Sequence, residues 1–269
     1  MLNNCKFYKE KNQVSYDFGV TWLDTGDYRK GNLYEYQSAD CPIEFDGKWL
    51  AEYSDSHTES AQCDSSSAIT SGEITKTDLV EVMIGDCVTS IGGSAFASCS
   101  SLTSVTIPDS VTSINDYAFM QCSSLTSITI PDNVTTIGSF AFYKCISLTT
   151  CTIGSSVTSI GVSAFRQCSS LTSVTIPDST TSINAYAFND CSGLTSIDIP
   201  SGVTIIGNQA FLNCSGLTSI TINSVSPPTM QGSGAFNNTN DCPIYVPAAS
   251  VSAYQSAWSS YASRIQAIP

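Results

Sequence analysis

A repeat of 23 residues constrains the fold of this chain more than any other feature of its sequence. Cysteine recurs at this interval six times, and an Ala-Phe pair, a leucine and two isoleucines recur in register with it. The six cysteines are Cys99, Cys122, Cys145, Cys168, Cys191 and Cys214. A single unit cannot bury its own apolar side chains, whereas stacked units give each apolar column a continuous interior row. The period therefore predicts a solenoid of tandem coils.

Each unit carries signals for two short strands and a turn. Apolar and hydroxyl residues alternate at residues 105–107, which predicts a half-buried strand, and Pro108 ends it because proline lacks the N–H for a ladder. The apolar residues Val111 and Ile114 predict a second strand. A column of glycine or asparagine follows, for which we expect positive φ, and then an Ala-Phe segment, for which we expect one helical or 3₁₀ turn. The column is Gly92, Asn115, Gly138, Gly161, Asn184 and Gly207.

The cysteine column has three interpretations: disulfides, a metal site or packing. Equivalent side chains on neighbouring coils lie about 4.8 Å apart and point in parallel, whereas a disulfide needs Cβ atoms about 3.8 Å apart on converging vectors. Zinc needs four converging ligands, and the chain has no Cys-x-x-Cys pair. We therefore interpret the six cysteines as buried, reduced thiols that pack as small apolar groups and act as weak S–H donors. Cys151 falls in a strand column and is expected in the core as well.

The units resemble BspA-type leucine-rich repeats, as in the stretch AFMQCSSLTSITIPDNVTTIG at residues 118–138. The resemblance covers about residues 74–246 and rests on six tandem units. It implies a mainly β leucine-rich-repeat solenoid of about seven to eight coils, with a small N-terminal β cap and a C-terminal helical cap. We place the N-terminal module at residues 1–72, the repeats at 73–222, and the irregular last coil with its cap at 223–269. In that cap, helix-compatible spacing relates Val251, Tyr254, Trp258, Tyr261 and Ile265.

The N-terminal module contains the Asp-box pattern Ser-x-Asp-x-Gly-x-Thr-Trp, from Ser15 to Trp22. The resemblance to Asp-box motifs implies a structural hairpin turn with the Trp packed beneath it, not a catalytic element. A similar segment precedes some BspA-type arrays. Five cysteines lie outside the packing columns, namely Cys5, Cys41, Cys63, Cys87 and Cys242. In an oxidising compartment, Cys5 with Cys41 and Cys63 with Cys87 are the pairings to test first. Free thiols are the alternative, because spacing does not fix connectivity.

The charge of the chain excludes two classes of partner. The formal net charge is −13, and nucleic acid or an anionic membrane requires the Lys and Arg residues that this chain lacks. The charges are uneven, since residues 1–86 hold 7 of the 10 Lys and Arg and 16 of the 23 Asp and Glu. No apolar run is long enough to span a bilayer. We expect a native leader or anchor to lie outside this chain.

Residues suited to catalysis or metal binding are few. His57 is the single histidine and lies in a polar, loop-like run, and no Gly-rich phosphate loop is present. Asp17, Asp24 and Asp27 do not fit the spacing of an EF-hand loop. Asp109, Asp132 and Asp178 repeat at a turn position, where aspartate commonly caps the backbone. We therefore predict a protein that is not an enzyme and has no catalytic residue, metal site or cofactor.

The variable columns around the Ala-Phe pair have the composition of an interaction patch. Aromatic, Met and Arg residues cluster there and are enriched at protein interfaces. The predicted binding residues are Tyr117, Met120, Phe140, Tyr143, Arg166 and Tyr186. The alternative is that these side chains only cover the convex side of the core.

The BspA-type resemblance implies a location on the outer surface of bacteria and adhesion to host or microbial partners. We therefore predict a secreted or surface-anchored binding module whose partner is an extracellular matrix protein or another surface protein. Two alternatives stay open. The Asp-box module and the exposed aromatic residues favour glycan binding, and the monotonous outward Ser and Thr residues favour a passive structural spacer.

Overall fold

The computed structural model describes residues 68–70 and 78–269 in full, together with the backbone of six earlier strands. These strands are Lys6–Tyr8, Gln13–Ser15, Trp22–Asp24, Glu35–Gln37, Gly47–Tyr53 and Thr58–Gln62. The described residues form a β-solenoid of about eight coils with one short α-helix, which confirms the predicted fold class. Strand Gln13–Ser15 pairs antiparallel with Trp22–Asp24, whereas the turn of the Asp-box between them and His57 lie outside the described residues.

The front side of the solenoid, here called the front sheet, receives one short parallel strand from each coil, and these strands form three hydrogen-bonded groups. Its strands are Leu79–Ile84, Ser104–Thr106, Ser127–Thr129, Thr150–Thr152, Ser173–Thr175, Ser196–Ile199, Ser219–Ile222, Ile244–Val246 and Ile265–Ala267. The register follows the 23-residue period, since Ile128 pairs with Cys151 and Cys151 with Val174. Within Thr150–Thr152 only Cys151 is buried. The alternation of apolar and hydroxyl residues thus predicted both the strand and its inward face.

A back sheet of eight parallel strands forms the second side of the solenoid. Its strands are Ala68–Ile69, Ser90–Ile91, Ser113–Ile114, Thr136–Ile137, Ser159–Ile160, Ser182–Ile183, Ile205–Gly207 and Thr229–Gln231. Threonines next to the strands add a hydroxyl ladder. Thr149 donates its hydroxyl to the carbonyl of Thr126, 3.0 Å away, and Thr158 donates to that of Thr135 at 3.2 Å. These bonds connect neighbouring coils where the front strands (Thr149) and the back strands (Thr158) begin.

The third side of each coil, here called the turn face, leads from the back sheet to the next front strand. It consists of successive tight turns closed by i→i−3 bonds, so the expected 3₁₀-type turn is present at the Ala-Phe pair as a single turn that does not extend into a helix. Its N–H groups alternate between two acceptors: Met120 donates within its coil to the carbonyl of Tyr117 at 3.1 Å, whereas Phe119 donates to Ala141 on the next coil at 2.7 Å. A helix keeps its donors within the segment. The alternating bonds instead join the coils.

Positive φ angles occur on the turn face, but the predicted positions are wrong. None of the six residues of the Gly/Asn column, Gly92, Asn115, Gly138, Gly161, Asn184 and Gly207, has one. The left-handed residues lie two and six positions later, as at Tyr117 (φ 60°) and Gln121 (φ 61°). Both donate their N–H to the following coil, which stabilises a conformation that L residues rarely adopt. Glycine at 138 allows close approach, because a Cβ there would lie 2.5 Å from the carbonyl carbon of Asn115.

A column of seven buried phenylalanine rings forms the centre of the core. The rings are Phe96, Phe119, Phe142, Phe165, Phe188, Phe211 and Phe236. Neighbouring rings are nearly parallel, with centroids 5.0 Å apart for Phe96 and Phe119 and 5.1 Å for Phe142 and Phe165. The irregular last coil keeps this stack, since Phe236 lies 5.5 Å from Phe211. The longer spacing between Phe211 and Phe236 is therefore accommodated outside the core.

Aromatic side chains cover the C-terminal end of the solenoid. The segments there are the 3₁₀ helices Ala248–Ser250 and Ser259–Arg264, helix Val251–Ala257 and strand Ile265–Ala267. Trp258 and Tyr261 pack on Phe236 at ring distances of 5.8 and 5.7 Å. The predicted helical cap is present, but its helix is shorter than the spacing indicated and Ile265 lies in a strand. No helix among the described residues is long and apolar enough to cross a bilayer.

Arg264 fastens the cap to the last coil. Its side chain donates to the carbonyl of Cys242 at 2.8 Å, to that of Phe236 at 3.0 Å and to the hydroxyl of Thr239 at 2.7 Å. Cys242 is 4% exposed and belongs to the core. The prediction that this cysteine lies outside the packing is therefore wrong, because the irregular spacing of the last coil hides its inward position.

The N-terminal end of the front sheet is extended by antiparallel strands. Gly47–Tyr53 pairs with the first front strand, Leu79–Ile84, and on its other side with Thr58–Gln62. This hairpin covers the edge that the solenoid would otherwise expose. The boundaries proposed at residues 72 and 222 stay predictions.

Candidate interaction surface

The turn face carries all six predicted binding residues in two columns. Tyr117, Phe140 and Tyr186 occupy the first left-handed position of their units, and Met120, Tyr143 and Arg166 come three residues after that position. The Ala-Phe pair between the columns is buried in every coil. Both columns therefore border solvent on a backbone that the cross-coil hydrogen bonds hold in place.

Three aromatic rings make a continuous contact across two coils. Tyr117 stacks on Phe140 with ring centroids 5.2 Å apart and planes 8° from parallel. The ring of Phe140 meets Tyr143 edge to face at 5.7 Å. Tyr117 is 40% exposed, and the other two rings are partly buried. The cluster offers rigid apolar area with two phenol hydroxyls at the surface.

Two cations continue this cluster toward the next coils. Lys144 places its ammonium 5.3 Å from the centroid of the Tyr143 ring. The guanidinium of Arg166 lies 6.0 Å from Tyr143 and 5.5 Å from Tyr186, between the two rings. Such cation–π contacts hold a long side chain in one orientation. We call Tyr117, Phe140, Tyr143, Lys144, Arg166 and Tyr186 the aromatic–cationic patch.

Buried and bordering amides fix the orientation of the patch. Arg166 donates its Nε to the Oδ1 of Asn189 at 3.0 Å, and Asn189 is 3% exposed. The hydroxyl of Tyr186 accepts a bond of 3.3 Å from the amide of Asn208. Met120, one coil before Tyr143 in the same column, is partly buried. Asn189 and Lys144 were not among the predicted site residues, although both lie in the variable columns. Asn189 comes 23 residues after Arg166, and Lys144 directly follows Tyr143, so the repeat spacing could have identified both.

The cysteine column next to the patch has a packing role in the structure. Each thiol from Cys122 to Cys214 donates to the main-chain carbonyl of a phenylalanine 26 residues earlier, at 3.1 to 3.2 Å. Burial raises the pKa of Cys145 from 9.0 to about 12, and the pKa of Cys168 well above 9.0. Thiols held protonated in this way are poor nucleophiles and poor metal ligands.

Cys87 differs from the other described cysteines because it is disulfide-bonded. The eight others, from Cys99 to Cys242, are reduced thiols that are not in disulfide bonds. Its predicted partner Cys63 lies outside the described residues, as do Cys5 and Cys41. The pairings Cys63–Cys87 and Cys5–Cys41 therefore stay predictions.

Two aspartates accept bonds from the backbone of the next coil, and one of them, Asp132, belongs to the repeated turn position. Asp132 accepts a hydrogen bond of 2.7 Å from the N–H of Ser155, and this bond lowers the pKa of the carboxyl. Asp116 likewise accepts from the N–H of Ser139 at 2.6 Å. Within the described part of the chain, no group of three or more His, Cys, Asp or Glu residues is arranged to hold a metal ion.

Comparison with known proteins places this architecture among bacterial repeat proteins. The family described as BspA type leucine-rich repeat region matches residues 67–195 and 135–262, in six copies. A leucine-rich repeat protein from T. pallidum is 30% identical over 66% of this chain and 79% of that chain, with a TM-score of 0.51. No curated protein matches the chain in sequence.

Two further solved structures are similar at lower scores. One is a leucine-rich repeat protein from Bacteroides ovatus, which is 25% identical over 73% of this chain, with a TM-score of 0.46. The chain spans 61% of the length of that protein. The other is the pneumococcal vaccine antigen PcpA, which is 18% identical over 71% of this chain and 67% of that chain, with a TM-score of 0.36.

Proposed function

The chain belongs to the family of BspA-type leucine-rich repeat proteins, and on this basis we propose that it is a non-catalytic binding module of the bacterial surface. Its function is adhesion to another protein, either in the extracellular matrix of a host or on a neighbouring cell. The aromatic–cationic patch is the binding surface. Leucine-rich repeat proteins generally act by binding rather than by catalysis.

The observation that carries this proposal is the unbroken chain of contacts from Tyr117 to Tyr186. Stacking, edge-to-face and cation–π contacts join residues of four consecutive coils. Tyr and Arg dominate the binding energy of protein interfaces, and they do so best when they are rigid before binding. The patch supplies both residue types in fixed orientations on a rigid backbone.

The charge of the patch favours a particular kind of partner. Lys144 and Arg166 are two of only ten basic residues in a chain of net charge −13. A partner that presents carboxylates beside an apolar contact would pair with these cations while it covers the rings. We therefore expect the partner epitope to be acidic at its edge and apolar at its centre.

A location outside the cytoplasm is part of the proposal. The disulfide at Cys87 supports it, because structural disulfides persist in oxidising compartments. The eight buried, reduced thiols are compatible with the same compartment, since their burial keeps them away from oxidants.

A binding screen with matched variants tests the proposal. The chain would be measured against immobilised matrix proteins and purified bacterial surface proteins. The patch variants are Phe140→Ala with Tyr143→Ala, and separately Arg166→Gln, which retains a donor for the buried Asn189. The control is Thr150→Ala with Thr152→Ala, two exposed residues of the front sheet.

We expect affinity to fall at least about tenfold in each patch variant and to stay unchanged in the control. Circular dichroism would verify that every variant is folded. Equal losses in patch and control variants would contradict the assigned surface. Absence of binding to every protein would favour a structural spacer, in which the repeats only hold other domains apart.

A further inference from the structure

A groove lies beside the aromatic–cationic patch on the turn face. It has a volume of about 510 Å³ and crosses four coils. One wall consists of the second left-handed column, with Lys144, Gln167, Asp190 and Asn213. The other wall consists of the residues two positions later, which are Ile146 and three serines. Between the walls the buried cysteine of each coil points into the core. Apart from Lys144, the patch uses none of these side chains.

The polar side chains of the first wall are held in place by one another. Asn213 donates to one carboxylate oxygen of Asp190 at 2.7 Å, and Gln167 donates to the other at 3.5 Å. Asn238 in turn donates to the side-chain oxygen of Asn213 at 2.8 Å. Each carboxylate oxygen has two lone pairs and is given one donor here. The network therefore orients Asp190 and leaves it acceptor capacity toward the groove.

The opposite wall is lined by hydroxyls and one apolar side chain. Ser192 donates to the carbonyl of Ser169 at 3.5 Å, and the oxygen of its hydroxyl can still accept a bond. Ile146 is 48% exposed at the Lys144 end. Equivalent groups recur at the coil spacing of about 4.8 Å. A ligand in the groove thus meets donors, acceptors and one apolar surface in a linear array.

We propose that this groove binds a neutral oligosaccharide. Sugar hydroxyls donate and accept at once, so they match the mixed donors and acceptors of the two walls. The apolar face of a sugar ring fits against Ile146. A polyanion is disfavoured by Asp190 and by the net charge of −13. An extended peptide presents equivalent groups about every 6.8 Å, which does not match the coil spacing.

Two variants change the groove without touching the core. Asp190→Ala removes the central acceptor, and Ser192→Leu fills the groove from an exposed position. Each has a control in the same column on a coil outside the groove, namely Gln121→Ala and Ser100→Leu. The probes are immobilised neutral oligosaccharides built from glucose, galactose, mannose or xylose, together with uronate and sialylated glycans.

We expect binding to at least one neutral oligosaccharide, a loss of at least about tenfold in both groove variants, and no loss in the two controls. Binding that survives both groove variants overturns the assignment. Preference for the acidic glycans also overturns it, as does failure of the folded protein to bind any neutral glycan. The patch variant Arg166→Gln, which changes no residue that lines the groove, should keep glycan binding. Failure of the protein-adhesion proposal and failure of this one are therefore distinguishable.

Discussion

The thiol of Cys168 donates a hydrogen bond of 3.2 Å to the carbonyl oxygen of Phe142 on the preceding coil. The same relationship recurs along the cysteine column, so that each thiol connects two coils next to the phenylalanine stack. The bond requires a protonated thiol. The protonation state of the column is therefore coupled to the stability of the solenoid.

Stability should fall as the pH rises above 9. The pKa of Cys145 and that of Cys214 are raised by burial from 9.0 to about 12. Between these values the unfolded chain holds fewer protons than the folded chain, so their contribution is complete below pH 9 and is lost toward pH 12. Each such thiol should lower the free energy of unfolding by about 1.4 kcal/mol per pH unit in this range. Urea unfolding at neutral pH and at about pH 10 measures the effect.

Cys151→Val provides the matched control for this pH dependence. The equivalent residue of the next coil is the buried Val174, so valine should be accepted at neutral pH within about 1 kcal/mol. Burial also raises the pKa of Cys151, and its removal should reduce the slope of stability against pH. An unchanged slope would show that the buried thiols do not control alkaline unfolding.

Replacement of a left-handed residue should change stability according to the residue introduced. Gln209 has φ 53°. Gln209→Gly should raise the free energy of unfolding by up to about 1 kcal/mol, and Gln209→Val should lower it by at least about 1 kcal/mol, because a β-branched residue tolerates this region poorly. Ser215→Gly, at a residue of negative φ, should instead be destabilising. Thermal unfolding would compare the three variants, and the same sign for both glycine variants would contradict the explanation.

The phenylalanine stack should be far more sensitive than the rings of the patch. Phe142 is fully buried between two parallel rings, whereas Phe140, two residues before it, lies at the surface. Phe142→Ala should lower the free energy of unfolding by about 3–5 kcal/mol, and Phe140→Ala by about 1 kcal/mol. Chemical denaturation measures both. Similar losses at the two positions would mean that the stack is not the main core.

The cap should depend on the shape of Arg264 as well as on its charge. Its guanidinium bonds three acceptors of the last coil, and a lysine cannot reach all of them. Arg264→Lys should therefore lower the free energy of unfolding by about 2 kcal/mol. Arg166→Lys affects only the one bond to Asn189 and should lower the free energy of unfolding by less. Thermal unfolding and limited proteolysis of residues 248–269 would measure the difference. Equal losses of stability in the two variants would show that Arg264 does not hold the cap on the last coil.

The inward columns could be predicted from sequence because the 23-residue period determines them directly. Val174 and Cys151 align by counting alone, and their burial follows from the alternation within a short strand. The positions of the left-handed residues could not be predicted in this way. Tyr117 and Gln121 carry no glycine signature, and their conformation depends on N–H bonds to the next coil. Backbone propensity depends only on the local residue type, so it favoured the Gly/Asn column as the site of positive φ.

The patch was predictable in part. The spacing aligned Tyr117, Phe140 and Tyr186 in one column, but the buried anchor Asn189 and the hydrogen-bonded wall around Asp190 depend on the packing of side chains between coils. Residue type alone does not report such packing. The groove therefore becomes visible only in three dimensions.

Main-chain bonds join the coils along the turn face, and the buried Ala-Phe pair anchors it from below. The backbone bonds between coils at its left-handed positions therefore form whichever side chain occupies each position. Evolution can diversify this face in the way that antigen-binding loops diversify on a constant framework. Gain or loss of a whole unit would lengthen or shorten the surface without rebuilding the scaffold.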